Sequence, residues 1–478
     1  MKGRSFIGLA GALASACSLA PRYHPPSTPA PAATYQEAAE WKTAQPMDDV
    51  SRGEWWHAFN DPALDAVEAK VADANQDIKA AFARLMQARA ATRIARSSLL
   101  PTLSAQAAAS RARTSVNAPH FPPGTEPTVN NFDVEADLSY EIDLWGRVRN
   151  NVASAKASQQ ASAADLGALS LAIRAEAATD YFSLCAEDAE QELLDRTVED
   201  YRKSAELTQN LFHGGGAALS DVAQAQAQLE SARTQAADIR LQRAQTEHAL
   251  AVLEGENPTG FRLPVKPLPP GIGPPSVGVG LPSDLLERRP DVSAAERRAA
   301  AANAQIGVAR AAYFPVFSLA AATGFDSTTT SNWITAPSRM WSAGPTGMLT
   351  IFDFGRHRAQ SAQAHAAYDE QAANYRNTVL TAYQEVEDNL AALRQLEQES
   401  VSESAAVAAT GQALQQAQYR YRAGLVTFLE VATTENTALQ AQLSSVNIQL
   451  RRLTASVLLI KALGGGWGVD QAHQANAN

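Results

Sequence analysis

The sequence predicts a mostly α fold with four strands in each chain, laid out as two copies of one half-molecule. Three observations carry this. The run Asp77, Ala80, Ala81, Arg84, Ala88, Ala90, Ala95, Arg96, Pro101 recurs 214 residues later as Asp291, Ala294, Ala295, Arg298, Ala302, Ala304, Ala309, Arg310, Pro315. Further on, Gly146-Arg147, Arg149, Glu176, Leu184 and Gly215 recur 209 residues later as Gly355-Arg356, Arg358, Glu385, Leu393 and Gly424, so the second copy is shorter by five residues lost between Pro101 and Gly146. Phe132 to Leu144 alternates apolar and polar residues without a fault. No proline interrupts Gly146 to Asn257 or anything after Pro345. A period this long is a duplicated half rather than a solenoid repeat, which runs roughly 20–50 residues.

The N-terminus comes first in order. Lys2 and Arg4 precede a short apolar stretch, Phe6 to Leu13, and Leu13-Ala14-Ser15-Ala16-Cys17 sets small residues before a cysteine. This resembles a bacterial lipoprotein signal, in which residues 1–16 are removed, Cys17 is lipidated, and Ser18 after it favours the outer membrane. An ordinary secretory signal with an incidental cysteine is the plainer alternative. Residues 17–60 read as a lipidated tether, with Pro21 to Ala33 extended by its proline content. The one other cysteine, Cys185, reads as a small buried hydrophobe, and with Cys17 lipidated no intramolecular disulfide forms. The net charge of −10 lacks the clustered basic excess of a nucleic-acid binder. No apolar run reaches the 18 residues of a spanning helix.

Trp55-Trp56 and Asp61-Pro62 announce a first helix that runs to about Leu100 and stops at Pro101. Two hairpins of strands follow, one in each copy, at 102–144 and 316–352. The strand 132–144 puts Asp133, Glu135, Asp137, Glu141 and Asp143 on one face and an apolar row on the other. Alternation fits a soluble sandwich as well as a membrane barrel, in which the acidic face lines the lumen. Its length suits a tilted spanning strand. Four strands cannot close a barrel, and an open edge in lipid costs several kcal/mol for each unpaired backbone group. Three copies would supply twelve strands.

The rest is helix. Arg147 to about Phe212 and its twin, Arg356 to about Tyr421, are followed by Gly turns and returning helices, which makes two αα-hairpins. The twin shows a heptad seam of Tyr368, Tyr375, Ala382, Asn389, Leu396 with Ala372, Val379, Val386, Leu393. The glycines at 214–216 make no phosphate loop, because no Lys-Ser/Thr follows them. The first repeat is therefore 61–253, a Pro/Gly-rich linker fills 254–290, the second repeat is 291–463 and a tail occupies 464–478.

At this point the chain resembles the outer-membrane factors of tripartite efflux pumps, the TolC-like family, in their NodT-type lipoprotein branch. The residues that carry the resemblance are Cys17 through Tyr23, Trp55-Trp56, Tyr140 through Arg147, Gly280 through Asp291 with Ala295-Glu296-Arg297, and Tyr419 through Gly424. The resemblance implies a homotrimer with a twelve-stranded outer-membrane barrel continued by a long periplasmic α-helical barrel. It also implies a gate at the hairpin ends. Tyr421 matches a tyrosine that bonds an aspartate, matched by Asp221, and Glu430 matches an acidic ring. Val426 and Thr433 stand where some members carry an arginine and a second acid. Tyr421 as a coiled-coil packing residue and Glu430 as a charge complementing a helix N-terminus are the rival readings. Gly215, Gly216, Gly424 and Leu425 form the tips that would meet a periplasmic adaptor, which links the duct to an inner-membrane transporter.

No catalytic constellation, metal-ligand spacing or cofactor motif is present in the sequence. The function expected is a passive, gated exit duct for small toxic compounds. Its rivals are a duct for protein secretion or metal-ion efflux and a non-channel coiled-coil envelope lipoprotein.

Overall fold

A computed structural model describes residues 18–28, 54–117, 119, 124, 126–275 and 289–465. Cys17 and the signal sequence lie outside these residues, as does the tail beyond residue 465. Among the described residues there are seven α-helices and four strands. In chain order they are α1 (Pro62–Ala74), α2 (Gln76–Ser97), β1 (Thr102–Arg113), β2 (Thr128–Ile142), α3 (Arg147–His213), α4 (Leu219–Leu253), α5 (Pro290–Ala311), β3 (Val316–Ser327), β4 (Arg339–Met348), α6 (Arg356–Arg422) and α7 (Phe428–Ala462).

The copies match in length. α2 and α5 each hold 22 residues, and β1 and β3 each hold 12. α3 and α6 each hold 67, roughly 100 Å at 1.5 Å per residue. α4 and α7 each hold 35. The strands make one antiparallel sheet in the order β1-β2-β3-β4, leaving β1 and β4 as its edges. Leu103 lies opposite Leu138 and Phe317 opposite Gly347, so the register of the second hairpin repeats that of the first. The five lost residues therefore fall between β1 and β2, in the hairpin loop.

Three boundaries differ from the sequence reading. The first helix is two helices, broken at Asn75, whose extended backbone (ψ 129°) ends α1. Asn75 then accepts the Asp77 and Ile78 N–H groups and caps α2, as a short amide side chain does well. β2 stops at Ile142, two residues before the alternation does, because its pairing with β3 ends at Phe317. β4 stops at Met348 rather than 352.

The chain divides into two compact units. The first holds Arg84–Ser162, Ala294–Arg376 and residues 18–27. Here the expected tether is extended but pinned. Ser18 Oγ donates to Asn150 Oδ1 at 2.9 Å, Asn303 Nδ2 donates to the Pro21 carbonyl at 2.9 Å, and Arg376 Nε to that of Ser27 at 2.9 Å. Gly307 makes this approach feasible, since a Cβ there would meet Asn150 Nδ2 at 2.4 Å and Ala20 Cβ at 2.7 Å.

The second unit holds the described residues of Thr28–Ala83, Ala163–Ser293 and Asn377–Asn478. Its core gathers Trp55, Trp56, Leu64, Val71, Tyr181, Phe182, Leu250 and Leu453. The Arg174 guanidinium lies 4.9 Å from the Trp56 ring centroid, a cation–π contact. The described part of the linker packs into this unit, with Phe261 and Leu268 in the core and Leu268 N–H donating to the Cys185 carbonyl at 2.8 Å. Lys266 Nζ reaches both Asp61 carboxylate oxygens at 2.6 and 2.7 Å and Tyr181 Oη at 3.0 Å.

Along α6 the buried row is Ala372, Tyr375, Val379, Ala382, Val386, Leu390, Leu393 and Leu396. Leu390 takes the place expected for Asn389, whose amide instead bonds the Glu385 carbonyl at 2.6 Å. Leu390 lies four residues beyond Val386 on the same face, while Leu393 and Leu396 stay seven and fourteen residues from Val386 and Ala382, so the seam keeps its seven-residue spacing.

Candidate functional site

The candidate residues fall into two sets, on the polar face of the sheet and at the ends of the helical hairpins. On β2, Asp133, Glu135, Asp137 and Glu141 share a face. Opposite them stand small or polar residues: Ala108 and Asp326 flank Asp133, Gln106 and Gly324 flank Glu135, Ser104 and Ala322 flank Asp137, and Ser318 faces Glu141. Gly324 is required there, since a Cβ would lie 2.1 Å from the Val134 carbonyl oxygen. The acids are not equally free. Glu135 accepts from Gln106 Nε2. Glu141 is held by both Nε (2.7 Å) and Nη2 (2.5 Å) of Arg147, a bidentate pair.

Asp143 is a correction to the sequence reading. It lies past the end of β2 and accepts the N–H groups of Val148 (3.2 Å) and Arg149 (2.9 Å), so it caps the start of α3. The N-terminal amides of a long helix attract a carboxylate more strongly than a strand face does.

Both hairpin turns close in the same way. Gly215 (φ 74°) and Gly424 (φ 72°) adopt the left-handed conformation that glycine takes at no steric cost. Gly216 N–H bonds the Leu211 carbonyl at 2.7 Å and Leu425 N–H that of Arg420 at 2.9 Å, a Schellman closure in each copy. Leu425 is among the most exposed apolar side chains at this end.

Around the turn after α6, Tyr421 stacks edge-on against buried Phe428 (centroids 5.6 Å, 66°). Its hydroxyl lies 3.4 Å from Thr208 Oγ1. A cavity of about 40 Å³ beside it is lined by Ser204, Gln418, Tyr421 and Val431, among others. Within one chain the hydroxyl therefore sits by Thr208 of α3, while Asp221 turns back on its own helix and accepts Ala218 N–H at 3.3 Å. Glu430 accepts from Arg420 Nη1 at 2.6 Å. Val426 is half-buried in the turn, and Thr433 is exposed with its hydroxyl bonded to the Leu429 carbonyl at 2.8 Å.

Sequence reasoning missed Arg420, Thr208, Phe428 and Glu435. Arg420 stood inside the quoted Tyr419–Gly424 run, ten residues from Glu430 across a glycine turn, so a charge-pairing search across the turn would have found it. Glu435 is buried on α7 and accepts from Ser204 Oγ at 3.4 Å. Burial, with the nearby Asp200 charge adding to it, pushes its carboxyl up to about 7 against the pull of bonds from Gln418 and Ser204. Cys185 is buried, which pushes its thiol up to about 11. Among the described residues no group of His, Cys, Asp and Glu is placed to hold a metal ion, and no helix is long and apolar enough to cross a membrane.

The comparisons with known proteins agree with this geometry. The family model described as outer membrane efflux protein matches the chain twice, over residues 69–256 and 281–465, one match for each repeat. The toluene efflux pump outer membrane protein TtgC of Pseudomonas putida is 33% identical over 463 residues, covering 96% of this chain and 94% of that protein. The pyoverdine export outer membrane protein OpmQ of Pseudomonas aeruginosa is 32% identical over 453 residues, covering 93% of this chain and 94% of its own length. Among solved structures, the Campylobacter jejuni CmeC outer membrane channel superposes with a TM-score of 0.88 at 28% identity, covering 96% of this chain and 98% of that one. With both repeats matched and a relative 33% identical over 96% of this chain, the chain belongs to the outer membrane efflux protein family.

Proposed function

We propose that three copies of this chain close a twelve-stranded barrel in the outer membrane and continue it as a periplasmic α-helical duct. A periplasmic adaptor docks at the tips formed by Gly215, Gly216, Gly424 and Leu425, and an inner-membrane transporter delivers the cargo through it. The cargo is small toxic compounds; the relatives named for toluene and pyoverdine support that class. The chain conducts and performs no chemistry on what passes. Lipid attached at Cys17 adds to the barrel's own hold on the outer membrane.

The observation that carries the reading is the sheet with two unpaired edges. Its apolar row of Phe132, Val134, Leu138, Tyr140 and Phe317 suits lipid, and its acidic row suits water. Three-fold repetition turns each lumenal carboxylate into a ring of three, which favours cations. The gate lies where the hairpins end, with Tyr421, Asp221, Glu430, Val426 and Thr433 as its residues. Mainly apolar and hydrogen-bonded contacts hold it shut, since Val426 and Thr433 bring no charge.

Purified protein reconstituted in a planar bilayer tests the duct: discrete cation-preferring conductance steps are expected. A bilayer that stays silent while the protein is inserted would overturn the duct. Deleting the gene should raise sensitivity to small lipophilic toxicants. Loss of protein export with unchanged sensitivity would assign the duct to secretion instead.

A further inference from the structure

The sheet sorts its charges completely. Its acids, Asp133, Glu135, Asp137 and Glu141 on β2 and Asp326 on β3, all lie on one face. Its basic residues, Arg111 and Arg113 on β1 and Arg339 on β4, all lie on the other. Arg111 stands opposite Asn130 and Arg113 opposite Thr128, in step with Phe132. Arg339 stands opposite Phe325, which pairs with Val134. The arginines therefore share the apolar face, at the end of the sheet that carries the hairpin loops.

Depth accounts for their position. From Ile142 to Phe132 the apolar row runs roughly 33 Å along the strand, at about 3.3 Å per residue. At a tilt of about 40° this spans roughly 25 Å, the height of a barrel's apolar band. Arg111 and Arg113 lie just beyond it, where a lipid-facing cation costs little, and the long side chain of Arg339 can reach the same level. Aromatic rings mark that level too. Trp333, from the loop after β3, lies on Phe132 with centroids 5.8 Å apart. Trp341, next to Arg339 on the same face, is 74% exposed. All three arginines are exposed, and among the described residues none has a carboxylate partner. The two hairpin loops add one full charge, Glu126, so the rim keeps a positive surplus.

Resting on the reading of the sheet as an outer-membrane barrel wall, we propose that Arg111, Arg113 and Arg339 bind the phosphates of an outer-leaflet glycolipid. The helices leave the opposite end of the sheet toward the periplasm, so the loop end meets the outer leaflet. A glycolipid with phosphate on its headgroup sugars presents that phosphate just above the acyl chains, level with this rim. A guanidinium fork takes phosphate oxygens in two parallel bonds, and the sheet's cations are all arginine, with no lysine. Trp341 and the Trp333–Phe132 pair lie at the junction of sugar and acyl chain, where amphipathic rings settle.

Native mass spectrometry of the full-length oligomer with added bisphosphorylated lipid A tests this. Wild type should hold the lipid, and Arg111→Gln with Arg113→Gln should weaken binding about ten-fold or more, the loss of a charge-assisted bond. Arg339→Gln should weaken it as well, and lysine at the three positions should restore part of it. Lipid A stripped of phosphate, and phosphatidylglycerol, should each bind wild type about ten-fold or more weakly than the bisphosphorylated form. Phosphatidylglycerol held as tightly as lipid A would overturn the glycolipid assignment. Phosphate-free lipid A held equally well, or glutamine variants that bind as wild type does, would overturn the arginine site. The phosphate-free comparison uses wild type alone, so it decides the matter even where a variant fails to fold. Planar-bilayer conductance separates this from the duct itself. Conducting protein that holds no lipid A loses only the rim site, whereas inserted protein that stays silent loses the barrel wall on which the site rests.

Discussion

Arg420 Nη1 lies 2.6 Å from Glu430 Oε1, across the turn that joins α6 to α7. The equivalent pair in the first repeat is Leu211 and Asp221, which cannot form an ion pair. Asp221, one methylene shorter than Glu430 and with no arginine opposite, folds back onto Ala218 N–H and caps α4. The two tips share a backbone but differ in charge. Glu430 is therefore a compensated acid in each chain, not a bare one.

The pair is half-exposed, and such pairs contribute about 0.2–1 kcal/mol to stability. In the proposed three-chain duct, its larger effect should be on the field at the hairpin ends. Arg420→Met should raise cation preference and block by divalent ions. Glu430→Gln should lower both, and the double variant should return close to wild type. Reversal potentials in a salt gradient across a planar bilayer measure this. Equal potentials for all four proteins would place the pair off the conduction path.

At neighbouring Tyr421, packing outweighs the hydrogen bond. Phe428 is fully buried under Tyr421, and Phe→Ala in such a site costs about 3–5 kcal/mol. Tyr421→Phe removes only the contact to Thr208, at about 0.5–1.5 kcal/mol. Phe428→Ala should therefore greatly increase open events and speed amide exchange through the end of α6, with Tyr421→Phe a small version of the same change. If Tyr421→Phe opens the channel as fully as Phe428→Ala, the hydroxyl has a stronger partner in a neighbouring chain, and Asp221 is the first to test.

Much of this was legible in the sequence because the signals are local and long. The absence of proline and the glycines at 215 and 424 placed the four long helices to within a residue or two, and the 214- and 209-residue offsets placed the repeats. What was not legible depends on partners remote in sequence. Alternation continues through Asp143 because the pattern of β2 carries no mark of where β3 begins to leave it. Asn75 breaks a helix that its neighbours would continue, and its amide is held by Leu253, far along the chain. The segment at 18–28 reads as a free tether because extended backbone has no internal pattern, yet Asn150, Asn303 and Arg376 fix it.

Glu435 should make the hairpin end sensitive to pH. It lies against Ser204 and Gln418, with Asp200 and Tyr201 of α3 nearby, and its carboxyl is pushed up from 4.5 to about 7. A carboxyl raised in the fold favours the folded state when protonated. That contribution is complete below about pH 4.5 and is lost as pH rises through about 7. The closed hairpin should then be tightest in mild acid and loosen toward neutrality. Glu435→Gln keeps the bonding geometry without the charge, so it should flatten the dependence of amide exchange or basal conductance between these pH values. A Glu435→Gln profile that keeps the wild-type slope would assign the titration to another group.

Glu68 is a buried acid whose desolvation outweighs the pull of the nearest cation. Glu68 on α1 is fully buried among Leu64, Val67 and Val71, and neither carboxylate oxygen has a hydrogen-bond partner among the described residues. Burial pushes its carboxyl up to about 8, with Arg174 pulling the other way and Asp65 adding to the rise. Burial thus favours the protonated over the charged carboxyl near neutral pH. Stability tied to this proton is complete below pH 4.5 and lost as pH rises through about 8. Glu68→Met keeps the length, removes the polar atoms and leaves Arg174 on the Trp56 ring. It should stabilise the protein by about 1–3 kcal/mol at neutral pH, and by more at pH 9, where the wild-type acid ionises. Thermal unfolding of the two proteins at pH 5, 7 and 9 measures it. A Glu68→Met protein that melts below wild type at every pH would overturn the reading of Glu68 as an uncompensated acid.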